Sequence, residues 1–147
     1  MSASTIIKQQ RGPYVISTDP ARLDIAAIID AISGMYWAQG RPPEVIARGV
    51  RNSLCFGLYH TAAHIGLARV VTDYATFGYL ADVYVLAAYR GQGLGKWLIE
   101  TVTQHPDLVP LRRMLLATRD AHGLYAHYGF TTLQAPERWM ERLSGQA

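Results

Sequence analysis

The sequence predicts one mixed α/β domain spanning residues 1–147, with a mostly antiparallel central sheet of six to seven strands flanked by about four helices. Three observations carry that prediction. Apolar runs at Leu54–Tyr59 and Ile65–Val71 are joined by the short HTAAH, and the turn at Asp73–Gly78 leads into a third run ending near Leu86, so these strands form an antiparallel meander. Two stripes at helical spacing, Ile25, Ile28, Ile29, Ile32 and Leu94, Trp97, Leu98, Val102, need a sheet to pack on. At 147 residues, half of them hydrophobic, the chain can bury a real core.

In chain order, YVIST at Tyr14–Thr18 reads as a first strand. Thr18 or Asp19 then caps a helix with Pro20 at its first position, and Gly34 ends it. The loop MYWAQGRPP presents Tyr36 and Trp37, and a second helix starts near Pro42 or Pro43 and runs through Val50. After the meander and the helix from Leu94, MLLAT at Met114–Thr118 is a buried strand. Ala121, Leu124 and Tyr125 face the core from a short helix stopped by Gly129, and strands follow at Phe130–Leu133 and Arg138–Leu143. The order is β, α, α, three strands, α, β, α, β, β.

Composition excludes several classes of function. Cys55, the single cysteine, excludes an internal disulfide, and Leu54 and Phe56 beside it favour a buried structural thiol over a nucleophile. No apolar run reaches membrane-spanning length and no signal-peptide pattern opens the chain, which makes the cytoplasm the default compartment. The net charge of +3 is spread without a basic run, so it suits a pyrophosphate-bearing cofactor while giving nucleic-acid binding no support. His60 and His64 flank a turn with no third ligand beside them, which reads as a surface pair and leaves no metal site.

The most informative stretch joins a strand to a helix. Ala81–Leu86 is rich in strand formers, and RGQGLGK follows with glycines at 91, 93 and 95. Successive N–H groups there converge at a helix N-terminus, where dipole and unpaired donors favour an anion, and Arg90 and Lys96 add charge. A P-loop is excluded because Arg90 stands where its first glycine belongs and Trp97 where its hydroxyl belongs; Lys96 likewise breaks the dinucleotide fingerprint. What remains is R-x-x-G-x-G after DVYV. This resembles the [QR]-x-x-G-x-[GA] signature of the GNAT superfamily of acetyl-CoA-dependent N-acetyltransferases. RDAHGLYAHYGF is similar to that superfamily's second landmark through Ala121, Leu124, Tyr125, Gly129 and Phe130, with Thr118 in place of its asparagine.

The resemblance covers nearly the whole chain and implies a function: transfer of an acetyl group from acetyl-CoA to a primary amine of a small molecule by direct attack in a ternary complex. Acetylation of a protein or aminoacyl-tRNA amine, and a non-catalytic acyl-CoA-binding module, stand as alternatives, and a homodimer is a further expectation. The cofactor would be held by backbone groups of Val83 and Val85, by Arg90, Gly91, Gln92, Gly93, Leu94, Gly95 and Lys96, and by the Thr118 hydroxyl. Tyr125 would protonate the leaving thiolate, with a core tyrosine as the alternative reading. Asp82 either relays the amine proton through water or pairs with Arg69 on the neighbouring strand. Tyr36 and Trp37 either wall the acceptor site, with Arg69 and Tyr84 beside them, or cap the core. The acceptor segments also carry Arg41, Asp73 and Arg119. Arginine therefore outnumbers acid, which suits an amine bearing a carboxylate, with Arg69 as its clamp.

Overall fold

A computed structural model describes residues 4–145. The strands are β1 (Lys8–Arg11), β2 (Tyr14–Ser17), β3 (Leu54–His60), β4 (Ala63–Thr72), β5 (Phe77–Val85) and β6 (Arg113–Leu116); the helices are α1 (Ile25–Ser33), α2 (Pro43–Arg51), α3 (Leu94–Gln104) and α4 (His122–Ala126). They form one six-stranded sheet in sequential order, antiparallel from β1 to β5, with β6 parallel to β5. The mixed, mostly antiparallel architecture is the one the patterning predicts.

Alternation along the strands divides the core into two layers. Leu54, Phe56 and Leu58 of β3 meet Leu94, Trp97, Leu98 and Val102 of α3 on one face. Cys55 of β3, Leu67 of β4 and Tyr84 of β5 meet Ile28 and Ile32 of α1 and Ile46 and Val50 of α2 on the other. The Cys55 thiol is buried, and burial pushes its pKa up to about 12. Both helix stripes therefore bury apolar surface worth roughly 25 cal/mol per Å².

Several boundaries differ from the sequence reading. Pro20 opens only a 3-10 turn capped by Asp19; Leu23 is extended, and α1 begins after Asp24, whose carboxylate accepts the Ala27 N–H at 3.0 Å. The strand β1 was not anticipated, because its polar KQQR has no apolar alternation to read. Phe130–Leu133 and Arg138–Leu143 are not strands. Gly129 turns the chain at φ +90°, Pro136 starts a 3-10 turn, and Trp139 is held under the Arg113 guanidinium at 4.8 Å. Nor are the histidines a free surface pair. His64 packs edge-on against Tyr59, with both ring nitrogens buried, and burial lowers its pKa; His60 sits between Tyr14 and Tyr89.

Candidate functional site

A β-bulge in the middle of β5 sets the site. Leu67 pairs with Tyr84 and Arg69 with Ala81, so Asp82 and Val83 together face Ala68. Asp82 takes a left-handed backbone, φ +49°, and the side-chain phase changes there. Leu80 and Val85 share the α3 face although five positions apart, while Tyr84 joins the α1/α2 face. The β5–β6 pairing ends at Leu80–Leu116, so the second half of β5 has no strand partner on the β6 side.

Into that gap opens a cleft of about 590 Å³, lined by Val83–Val85, Tyr89, Arg90, Gly91, Gly93–Lys96 and Tyr125, with Met35 and Trp37 at one end. Gly91 and Gly93 have φ of +84° and +81°, and an added Cβ at either would meet no atom within 4 Å. Glycine is thus required by the backbone, and the space before it is open. Gly93 caps α3, so the first-turn N–H groups of Leu94, Gly95 and Lys96 have no intrahelical acceptor. The Arg90 Nε donates to the Val85 carbonyl at 2.8 Å, fixing that guanidinium against the strand end, and Lys96 is exposed. These donors and charges fit a pyrophosphate. Gln92 turns the other way: its Oε1 accepts from the Tyr14 hydroxyl at 3.0 Å and ties the loop to β2. Leu94 is a core side chain and contributes backbone only.

A second opening, about 580 Å³, adjoins the first and shares Trp37, Val83 and Tyr125 with it. Asp82, 8% exposed, is its buried anion. Its carboxylate accepts from Arg69 Nε at 2.8 Å, Trp37 Nε1 at 3.0 Å and Arg41 Nη1 at 3.2 Å. Burial alone would raise the Asp82 pKa, but the Arg69 charge and hydrogen bond, with Arg41 and Trp37, hold it below the usual carboxylate range. Of the two readings of Asp82, pairing with Arg69 is present, and Arg41 and Trp37 join it from the loop between α1 and α2. Tyr36 packs edge-on against Trp37, and the Arg119 guanidinium lies 4.0 Å over the Tyr36 ring, bridging that loop to the segment before α4.

The other predicted residues are placed as follows. Tyr125 stands on α4 between the two openings, its ring edge-on to Phe130; burial raises its pKa. The Thr118 hydroxyl accepts the Ala121 N–H at 3.1 Å, shaping the entry to α4 at the rim of the second opening. Tyr84 departs from the expectation: the phase set by the bulge sends its ring into the α1/α2 core, 5% exposed, where its hydroxyl has no partner among the described residues. Asp73 belongs to the β4–β5 turn, accepting from Ala75, Thr76 and Phe77, and the Thr76 hydroxyl, then these backbone donors, drive its pKa far down. Met35 and Leu124 were not anticipated as lining residues, since nothing in their local pattern separates them from core.

Over residues 51–132 the chain matches the family model described as an acetyltransferase (GNAT) domain. A curated Gibberella zeae protein, whose name gives acetyltransferase and no substrate, is 36% identical over 136 residues, covering 78% of this chain and 77% of that protein. A 1.40 Å crystal structure from Xanthomonas campestris pv. campestris, assigned to the GNAT family, superposes with a TM-score of 0.85 at 47% identity, covering 88% of this chain and 92% of that one. A Clostridium acetobutylicum acetyltransferase solved with acetyl-CoA shares the fold at a TM-score of 0.63 and 13% identity, covering 96% of each chain.

Proposed function

This chain belongs to the GNAT family of acetyltransferases, and on that premise we propose that it moves an acetyl group from acetyl-CoA to a primary amine of a small molecule, by direct attack in a ternary complex and in the cytoplasm. The observation that carries the reading is the meeting of the two openings: one ends in phosphate-type donors, the other in a charged and aromatic pocket, and both are lined by Val83 and Tyr125.

When bound, acetyl-CoA supplies a reactive thioester and a thiol leaving group. The N–H groups of Leu94, Gly95 and Lys96, with the Arg90 and Lys96 charges, would hold the pyrophosphate at the start of α3. Val83 and Val85, beyond the last β5–β6 pair, offer main-chain groups along the cleft, and an N–H aimed at a carbonyl oxygen there polarises it, worth about 3 kcal/mol in the transition state. Tyr125 holds its phenolic proton at neutral pH, because burial raises its pKa, and would donate it to the departing sulfur. Asp82, already held by two guanidinium groups, is a weak base, so the acceptor's proton leaves to water at the pocket mouth and Asp82 positions Trp37 and Arg41.

Incubation with acetyl-CoA and a panel of amines, following free thiol, tests this reading. Amine-dependent thiol release supports it. Coenzyme A binding with no release on any amine would make the chain an acyl-CoA-binding module, and release only on a protein or aminoacyl-tRNA would move the acceptor to a macromolecule.

A further inference from the structure

The geometry assigns a chemical class to the acceptor: an amine that also carries a carboxylate, with Arg41 as its anchor. This rests on the acetyl-transfer reading above and deepens it. Three arginines, Arg41, Arg69 and Arg119, line the acceptor opening against two acids, Asp82 and Asp120. Asp82 sits between Arg41 and Arg69 and neutralises only one of them. Asp120 faces Arg119 at 3.9 Å with both side chains largely in water, where the pair is weak and screened. The pocket interior is therefore left with one uncompensated positive charge.

That charge belongs to Arg41. Arg69 is the more tightly held and the more buried of the two: its Nε binds Asp82, its Nη1 donates to the Ser53 hydroxyl at 3.1 Å, and the same Nη1 lies 3.5 Å from where a Cβ of Gly49 would stand, so the guanidinium is tucked under α2, with the side chain 16% exposed. The carboxylate clamp first assigned to Arg69 therefore moves to its neighbour. Arg41 binds both Asp82 oxygens through Nη1 alone, and its Nη2 and Nε have no partner among the described residues. Its side chain is 26% exposed, at the opening. A guanidinium fixed at one nitrogen by a buried carboxylate presents its remaining donors in a set direction, which suits a second carboxylate. The same net charge disfavours a polyamine.

Matched acceptor pairs that differ only by a carboxylate test this: lysine and cadaverine, phenylalanine and phenethylamine, β-alanine and ethylamine, with 2-aminoethylphosphonate to separate carboxylate from anions in general. In the best pair the carboxylated member should be preferred at least about tenfold in kcat/KM. Arg41→Lys keeps a charge beside Asp82 and removes the planar fork, so it should reduce that preference about fivefold or more through acceptor KM, with the KM for acetyl-CoA unchanged. Equal or better use of the decarboxylated members, a preference that survives Arg41→Lys, or a phosphonate preferred to every carboxylate would overturn the assignment. Calorimetry on the coenzyme A-loaded protein decides the case in which no amine is turned over, an outcome that sinks the acetyl-transfer reading. Binding of a carboxylated compound that weakens in Arg41→Lys would still support the anchor, and no binding of any carboxylated compound would refute it.

Discussion

Replacing Gly93 separates the two roles of the glycine turn, because the structure gives each a different magnitude. At φ +81° a Cβ costs roughly 1–2 kcal/mol of backbone strain, and since it would touch no atom within 4 Å no packing cost adds to it. For a chain of 147 residues that lowers Tm by about 3–6 °C, well inside the ordinary stability margin, so Gly93→Ala should fold, whereas the β-branched Gly93→Val is strained further at this φ. Binding should suffer more. The new carbon projects into the space before the α3 N–H groups, and loss of a single charge-assisted phosphate hydrogen bond, about 1.5–3 kcal/mol, weakens coenzyme A by about 10- to 160-fold. Gly12→Ala supplies the control: Gly12 has φ +57° with nothing within 4 Å of its Cβ, so its strain is comparable, but it lies in the β1–β2 turn. Calorimetric titration of coenzyme A into folded protein, beside thermal melts, reads both quantities. A folded Gly93→Val variant with parental affinity would show that the pyrophosphate does not sit at this helix start.

Three further outcomes are expected. Tyr125→Phe keeps the edge-on contact with Phe130 and removes the proton donor, so kcat should fall about 10²-fold with coenzyme A affinity unchanged; parental turnover would return Tyr125 to a packing role. Asp82 has a pKa lowered by folding, so its stabilisation is complete above the ordinary carboxylate range and is lost as pH falls through the folded value. Asp82→Asn should cost about 2–3 kcal/mol in urea unfolding at pH 7, a cost that shrinks progressively as pH falls below the ordinary carboxylate range, and a cost that does not change with pH would disprove the pairing. Tyr84→Phe removes a buried hydroxyl that has no partner among the described residues, so urea stability should hold or rise by up to about 1–2 kcal/mol with acceptor KM unchanged; a raised KM would restore Tyr84 to the acceptor site.

What the sequence made legible was what is local. Each hairpin of the meander, the α3 stripe and the glycine turn lies within one short contiguous stretch, and each has a pattern set by backbone geometry alone. The edge strand β1 was missed because its residues face water and carry no alternation, and the two C-terminal strands were over-read because β-favouring residues there had no pairing partner to confirm them. In the candidate site, the glycine turn and the place of Tyr125 between the two openings followed contiguous motifs. The Asp82 cluster was only half readable. Its Arg69 partner lies on the adjacent strand, where register can be guessed, whereas Trp37 and Arg41 reach it across 45 and 41 residues, a distance only the packed α1–α2 loop closes.

The bulge explains why the rest escaped. A strict period of two would put Leu80, Asp82 and Tyr84 on one face; the left-handed Asp82 breaks that period, leaves Leu80 with α3 and turns Asp82 and Tyr84 toward α1 and α2. A non-glycine residue at positive φ is unfavourable by roughly 1 kcal/mol or more. Four hydrogen bonds to its carboxylate, three of them from the guanidinium groups of Arg41 and Arg69, outweigh that cost. Bulge and ion cluster are therefore one device. The strain holds the carboxylate where both arginines reach it, and the arginines hold the strand in the conformation that places Val83 and Val85 on the other face, beside the cleft. Because the same carboxylate also holds Trp37 and Arg41, the β5 bulge and the α1–α2 loop are tied together by a single residue.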